Sequence, residues 1–307
     1  MPRDDSPPLR RISRKELLLP LYEQCLDAGG DTPVYAWPWF LDIMAREWEV
    51  VVWEEYRYVM PVARHRKWGI GYVYQPAFAQ QLGIFPQPPP EITFQFLSFL
   101  ASGYRYIDTT SGFGDEEARK AGFQVVPLHT RLLALHPGYE AVAQGYDGYI
   151  TQNLKKAALH GVTVTREKEA EIFFSMQRLA REIPMPAQSW SRFRRLMEAT
   201  LSDGRGVLLA ARSSDQEVMA TAFFILWRQR AYYMSVCSSP RGREQRAGFA
   251  LLDTFFREHA GQPLTFDFEG SSVMGVDRFF AAFGSTSAPY YLFHLNRLPP
   301  ILRKIKK

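Results

Sequence analysis

Gln245-Arg246-Ala247-Gly248-Phe249-Ala250 is the stretch whose residue types and spacing best suit a chemical task. It lies where an apolar run, Ala231–Cys237, gives way through an Arg- and Gly-rich loop to an amphipathic run ending near His259. A helix that opens there presents unpaired N–H donors and the positive end of its dipole. Small residues at 247, 248 and 250 let an anion reach the backbone, and Arg243 and Arg246 add charge beside it. The segment therefore suits a phosphate group, in the strand-to-helix setting that such a grip requires. Two carboxylates, Asp267 and Glu269, close the next strand at its C-terminal end, where open α/β sheets place their sites.

The elements around these residues repeat one plan. In the first half, helices at Lys15–Ala28 and Trp37–Ala45 precede a hairpin, Glu49–Trp53 with Tyr56–Ala63, and a strand at Gly69–Tyr74. Helix Glu91–Ser102, strand Tyr104–Asp108, helix Glu116–Ala121 and strand Thr130–Leu135 follow. In the second half, helices at Glu167–Arg181 and Ser189–Ser202 precede the hairpin Gly206–Ala211 with Val218–Trp227, then strand Ala231–Cys237. Helix Phe249–His259, strand Leu264–Phe268, helix Val276–Phe283 and strand Tyr290–Leu295 complete the same order. Tyr106-Ile107-Asp108 answers Thr265-Phe266-Asp267, and Lys120-Ala-Gly-Phe123 answers Ala282-Phe-Gly284. Two copies of one mixed α/β unit are expected, at 1–137 and 138–307, with the last strand and tail able to pack back on the first.

Composition sets bounds on function. The 307 residues are 46% hydrophobic and 22% charged, enough core for two domains. Two cysteines, Cys25 and Cys237, make no disulfide framework and fit a reducing cytoplasm. No apolar run has the length of a membrane span, and Met1–Pro8 does not read as a signal peptide. The first ~15 residues read as a flexible leader. Net charge is +5 with a basic end, Arg303–Lys307, which suits anionic partners but is read first as a solvated tail. No histidine or cysteine pair has metal-ligand spacing, so no metal is expected. Ser111-Gly112-Phe113-Gly114 starts like a dinucleotide fingerprint, but the following Asp115-Glu116 would repel pyrophosphate. Cys237, without an adjacent histidine, reads as a buried thiol, and Lys155-Lys156 as a solvated helix face. The cluster Tyr35, Trp37, Trp39 and Phe40 suits a core or a cleft equally.

Three further motifs carry a family resemblance. Asn153-Leu-Lys-Lys-Ala157 with Gly161-Val-Thr-Val164, Phe266-Asp-Phe-Glu-Gly-Ser271, and Arg278-Phe-Phe-Ala-Ala-Phe-Gly284 are similar to motifs of the Fem-like branch of the GNAT superfamily. The resemblance covers most of residues 30–297. It implies an α/β (α+β) fold of two tandem GNAT-like domains, each a mixed, mostly antiparallel sheet flanked by helices. In that setting Gln245–Ala250 matches the Gln/Arg-x-x-Gly-x-Gly/Ala pattern that grips the pyrophosphate of coenzyme A. The equivalent first-half loop, Pro76–Pro90, lacks it, so CoA is expected in the second half.

The resemblance implies transfer of an acyl group from acyl-CoA (acetyl-CoA) to a small-molecule or peptide amine. That chemistry needs a base for the amine, backbone donors for the oxyanion and an acid for the thiolate. Ser235 and Val236 would offer the polarising amides; Arg243, Gln245, Arg246, Ala247, Gly248 and Ala250 would hold the cofactor. Glu269, Asp267 or both would be the base, with Asp267 equally able to cap or bridge. Phe280 stands where Fem transferases carry a lysine, so Tyr290 or Tyr291 would have to supply the acid. Aminoacyl-tRNA-dependent transfer to a cell-wall precursor is the second reading, opposed by the missing lysine and by the lack of a basic arm for tRNA. A binding protein that kept the fold and lost the acid is the third.

Overall fold

The computed structural model describes residues 9–67, 69–180, 185–270 and 274–299. Ser271 of the strand-end motif and the basic end at 303–307 lie outside them. The chain divides into two compact units, 1–128 with 289–307, and 129–288. The expected division was at 137/138. The observed division falls inside two strands, because the segment that ends each copy of the plan is long.

The first unit opens with β1 (Leu9–Ser13), α1 (Leu19–Ala28) and α2 (Pro38–Met44). β1 corrects the expected leader: it pairs antiparallel with β2 (Glu47–Trp53), Leu9 opposite Trp53, and Leu9 is buried. β3 (Tyr58–Lys67) and β4 (Ile70–Val73) continue the antiparallel meander. α3 (Pro90–Gly103) then crosses over to β5 (Tyr106–Ser111), which runs parallel to β4. α4 (Asp115–Lys120) follows. Phe96, Leu97 and Leu100 of α3 and Ala118 of α4 pack with Val51, Val62, Val73 and Ile107. Burying each large side chain contributes roughly 1.5–3 kcal/mol, which is why the period-3.6 and period-2 patterns converge on one layer.

The strand after α4 is β6 (Gln124–Ala134). Its end belongs to the second unit, where Leu132–Ala134 pair antiparallel with β11 (Thr265–Asp267). Between them come α5 (Tyr139–Gln144), α6 (Gly148–Leu159), β7 (Thr163–Glu167), α7 (Ala170–Ala180) and α8 (Ala187–Ser202). β8 (Gly206–Arg212), β9 (Val218–Trp227) and β10 (Arg230–Ser238) form the meander, with β7 antiparallel on the edge of β8. α9 (Pro240–Glu244) and α10 (Ala247–His259) lead to β11, which runs parallel to β10. α11 (Met274–Ala281) precedes β12 (Thr286–Asn296). The end of β12 belongs to the first unit, pairing antiparallel with β5, His294 opposite Asp108.

Both sheets thus have one strand order, β1-β2-β3-β4-β5-β12 in the first unit and β7-β8-β9-β10-β11-β6 in the second. Each takes its sixth strand from the other half of the chain, so the strand expected to close the first half closes the second unit's sheet. In the second unit, Leu251, Leu252, Phe255 and Phe256 of α10 pack on Leu209, Phe224 and Phe266. On the opposite face Phe193 of α8 meets Phe223 edge-on at 5.7 Å between ring centres.

Candidate functional site

Of the expected site residues in the second unit, Ser235 and Val236 lie on β10, Gln245–Ala250 at the start of α10, and Asp267 at the end of β11 with Glu269 just beyond it. β10 carries a bulge: Tyr233 is opposite Phe224 and Ser235 opposite Phe223, leaving Met234 without a counterpart. A bulge re-aims the residues after it and breaks the hydrogen-bond ladder locally, as is common beside active sites. Ser235 follows the bulge and is buried, and its Oγ has no hydrogen-bond partner. Val236 beside it is half-buried.

The loop expected to cradle an anion is more ordered than its sequence suggests. Pro240–Glu244 forms the short helix α9, capped by the Ser239 hydroxyl, which accepts from the Gly242 N–H at 3.0 Å. Arg241 pins α9 to the β8–β9 hairpin through Asp215 at 3.0 Å and Glu217. Arg243, exposed, donates to the Ser238 carbonyl at 2.8 Å. Arg246 then turns left-handed, with φ 63°, to start α10. The first N–H groups of α10, at Ala247 and Gly248, have no acceptor within the helix. Ala247 is buried, Gly248 and Ala250 are half-buried, and a Cβ at Gly248 would meet nothing within 4 Å. Gln245 Oε1 and Arg246 Nε are buried and lack partners. Buried polar atoms are nearly always paired, so two orphans beside open helix donors mark a place built to receive a polar ligand, while Ser235, opposite Phe223, lies on the α8 face of β10. The residues present therefore fit the pyrophosphate of a CoA-type donor.

α10 is held in place further along its length. Asp253 accepts from the Tyr139 hydroxyl at 2.6 Å, the Tyr146 hydroxyl at 3.1 Å and Arg257 at 3.0 Å. Arg257 also lies over the Tyr139 ring, 3.9 Å from its centre. The helix start that would face the anion is thus fixed to α5 and the turn after it.

The two strand-end carboxylates have different surroundings. Asp267 is 1% exposed and accepts from the Thr130 hydroxyl at 2.6 Å, the Glu269 N–H at 2.9 Å and Arg230 at 3.3 Å. It has the environment of a brace. Glu269 sits on a left-handed backbone, φ 65°, followed by Gly270 at φ 60°. Burial pushes its carboxyl well above the ordinary carboxylate range. A carboxyl whose proton is held to higher pH is suited to proton transfer near neutrality, whereas a saturated one is not. Tyr290 lies on β12 in the other unit and is half-buried.

Phe280 points into the core, with ring contacts to Phe268 at 4.7 Å, Tyr233 at 6.0 Å and Phe279 at 5.8 Å. Of these rings only Tyr233 bears a hydroxyl. One cluster was not singled out from sequence: Arg131 donates to both oxygens of Asp277 at 2.7 Å, and His129 lies 2.9 Å from the same carboxylate. The Arg131 pair holds that carboxyl down at about 2. It fastens α11 to β6, and the one signal for it was the shared face of residues 129 and 131 on a strand. A separate cleft of about 710 Å³ lies among β7, α7 and α8, lined by charges of both signs including Arg166, Glu169, Glu171 and Arg194. None of the expected site residues lines it. Among the described residues no group of three or more His, Cys, Asp or Glu could hold a metal ion, and no helix is long and apolar enough to cross a membrane.

Residues 150–280 match the family model for the acetyltransferase (GNAT) domain. No curated protein matches the chain. Its structure resembles that of FemX, with a TM-score of 0.65 at 11% identity, covering 97% of this chain and 100% of that one. L-PGS from Bacillus licheniformis gives a TM-score of 0.51 at 11% identity, covering 84% of this chain and 87% of that one. The glucosamine N-acetyltransferase region of a fungal multi-domain GH3 β-N-acetylglucosaminidase also gives 0.51 at 11% identity, covering 95% of this chain and 38% of that one. At such identities the likeness is one of fold. Residues 150–280 thus match the GNAT acetyltransferase domain model, and the chain as a whole has a fold like that of FemX.

Proposed function

We propose that this protein is an acyl-CoA-dependent N-acyltransferase acting on a small-molecule or peptide amine. The observation that carries the reading is the pair Gln245 Oε1 and Arg246 Nε, buried and unpartnered at the open start of α10. A bound thioester would supply an activated acyl carbon. Ala247, Gly248 and Arg246 would hold the pyrophosphate, with Gln245 and Arg243 at its edge and Ala250 leaving room beside it. The backbone N–H groups at Ser235 and Val236, just past the bulge, would receive the carbonyl oxygen as negative charge develops on it. Glu269 would take the proton lost by the amine as the C–N bond forms and the C–S bond breaks. The thiolate then needs a proton, for which Tyr233, against Phe280, is better placed within this unit than Asp267, whose oxygens are committed to three donors. A cytoplasmic location is part of this proposal.

Calorimetry with CoA, acetyl-CoA and a long-chain acyl-CoA tests it, with deacylated tRNA as the contrast. Saturable micromolar binding of CoA, abolished by Gly248→Asp with the helix intact by circular dichroism, is the expected result. Binding of tRNA alone would favour the aminoacyl-transfer reading, and binding of neither would leave a fold without transferase chemistry.

A further inference from the structure

Tyr149 is an aromatic side chain left largely in water beside the start of α10. It is 54% exposed, in the first turn of α6. Its ring stands edge-on to Phe249, 5.6 Å between centres, and Phe249 is the residue after Gly248. Phe249 is itself buried and fixed edge-on against Phe279 at 5.0 Å. The backbone under Tyr149 is equally fixed. Its carbonyl accepts from Asn153 at 2.8 Å, Asp147 caps the helix through the Ile150 N–H at 2.9 Å, and the Asp147 N–H donates to the Ala282 carbonyl at 2.9 Å. Among the described residues the Tyr149 hydroxyl has no partner.

We propose that Tyr149 is the stacking platform for the adenine ring of the donor, so that the site selects nucleotide thioesters over donors carried on phosphopantetheine alone. The inference rests on the acyl-CoA reading of the same site and names what that site requires of its donor. In CoA, adenine is joined through its ribose to the pyrophosphate. A molecule gripped at the pyrophosphate by residues 245–248 carries its base one sugar away, on the side remote from the thioester. The open aromatic ring found one side-chain contact from Gly248 is the surface that such a base would cover. Its edge-on contact to Phe249 leaves a face of the ring open to a base, and base–aromatic stacking needs only such a face.

The test measures binding of CoA, 4′-phosphopantetheine and 3′,5′-ADP to the whole chain and to Tyr149→Ala and Tyr149→Trp. CoA is expected to bind at least about tenfold more tightly than 4′-phosphopantetheine, the size of one stacked base. Tyr149→Ala should cut that advantage about tenfold, weakening CoA while leaving 4′-phosphopantetheine unchanged, with the part due to the second phosphate kept, and Tyr149→Trp should keep it whole. 3′,5′-ADP should compete with CoA in the unsubstituted protein and not in Tyr149→Ala. Equal CoA affinity in both proteins, or an equal loss for CoA and 4′-phosphopantetheine, overturns the stacking role alone. Failure of the unsubstituted protein to bind either thiol ligand overturns the acyl-CoA reading and the stacking role together.

Discussion

Asp108, within β5, and Asp267, at the end of β11, lie on equivalent strands in the two units, and their surroundings differ. Asp267 is sealed from water and saturated by Thr130, Arg230 and the N–H of Glu269. Asp108 is about one-third exposed, accepts from the Tyr106 hydroxyl and faces His294 at 2.6 Å. One position in a repeated plan is a closed brace in one unit and an open polar pair in the other. Strand order is common to both units, and what differs is which side chains the neighbouring strands present. Thr130 reaches Asp267 from β6 and His294 reaches Asp108 from β12, so the exchanged sixth strands decide the character of each aspartate.

The strongest test of this contrast is Asp267→Ala. It leaves the half-buried Arg230 without this carboxylate and Thr130 without its acceptor, and should cost about 3 kcal/mol by urea unfolding. It should also lower transferase activity, since the turn that carries Glu269 hangs on this aspartate. Glu269→Gln separates the two effects. The rate should fall at least about a hundredfold while CoA affinity holds. Stability should move the other way. The folded chain holds the Glu269 proton more tightly than the unfolded chain does. The carboxyl therefore favours the fold below its unfolded value and opposes it as pH rises towards the folded one. Glutamine removes that opposition, so the variant's advantage in melting temperature should grow as pH rises above the ordinary carboxylate range. An advantage that shrinks with pH would show that the carboxyl is ionised in the fold.

The glycines after the two short helices repeat the contrast on a smaller scale. Gly122 and Gly284 both have left-handed φ, 88° and 81°. A Cβ at Gly284 would lie 2.7 Å from the Gly145 carbonyl oxygen, whereas at Gly122 the nearest atom is the end of Arg297 at 3.4 Å. Gly284→Ala should cost about 3 kcal/mol, strain plus clash, and Gly122→Ala about 1 kcal/mol, strain alone, by the same unfolding measurement. Asp108→Ala closes the series at about 1 kcal/mol or less, because the pair it breaks is partly in water. A loss at Asp108 as large as at Asp267 would erase the difference between the units.

Much of the fold was legible in sequence because its determinants are local. Alternation along 206–211 and 218–227 gave a hairpin, and apolar spacing along 249–259 gave a helix, both found as β8, β9 and α10. The small residues at 247, 248 and 250 marked the helix start with the open donors. The ordered helix α9 was missed because Pro240-Arg-Gly-Arg-Glu244 has weak helix propensity and is held by its Ser239 cap and the Arg241 contacts. β1 was missed because a strand of five residues with charged neighbours is visible only through the partner it finds in β2.

The sequence by itself determined the order of elements, its repetition, and the strand-to-helix junction suited to an anion, since each follows from residue periodicity and capping within a short span. The tertiary structure decided which sheet each sixth strand enters, that Asp267 is a saturated brace, and that the carboxyl of Glu269 is pushed up by burial. Those outcomes depend on partners 137 residues away for Asp267 and 186 for Asp108. No local pattern encodes contacts at that separation; they form only when the packed sheets bring the side chains together.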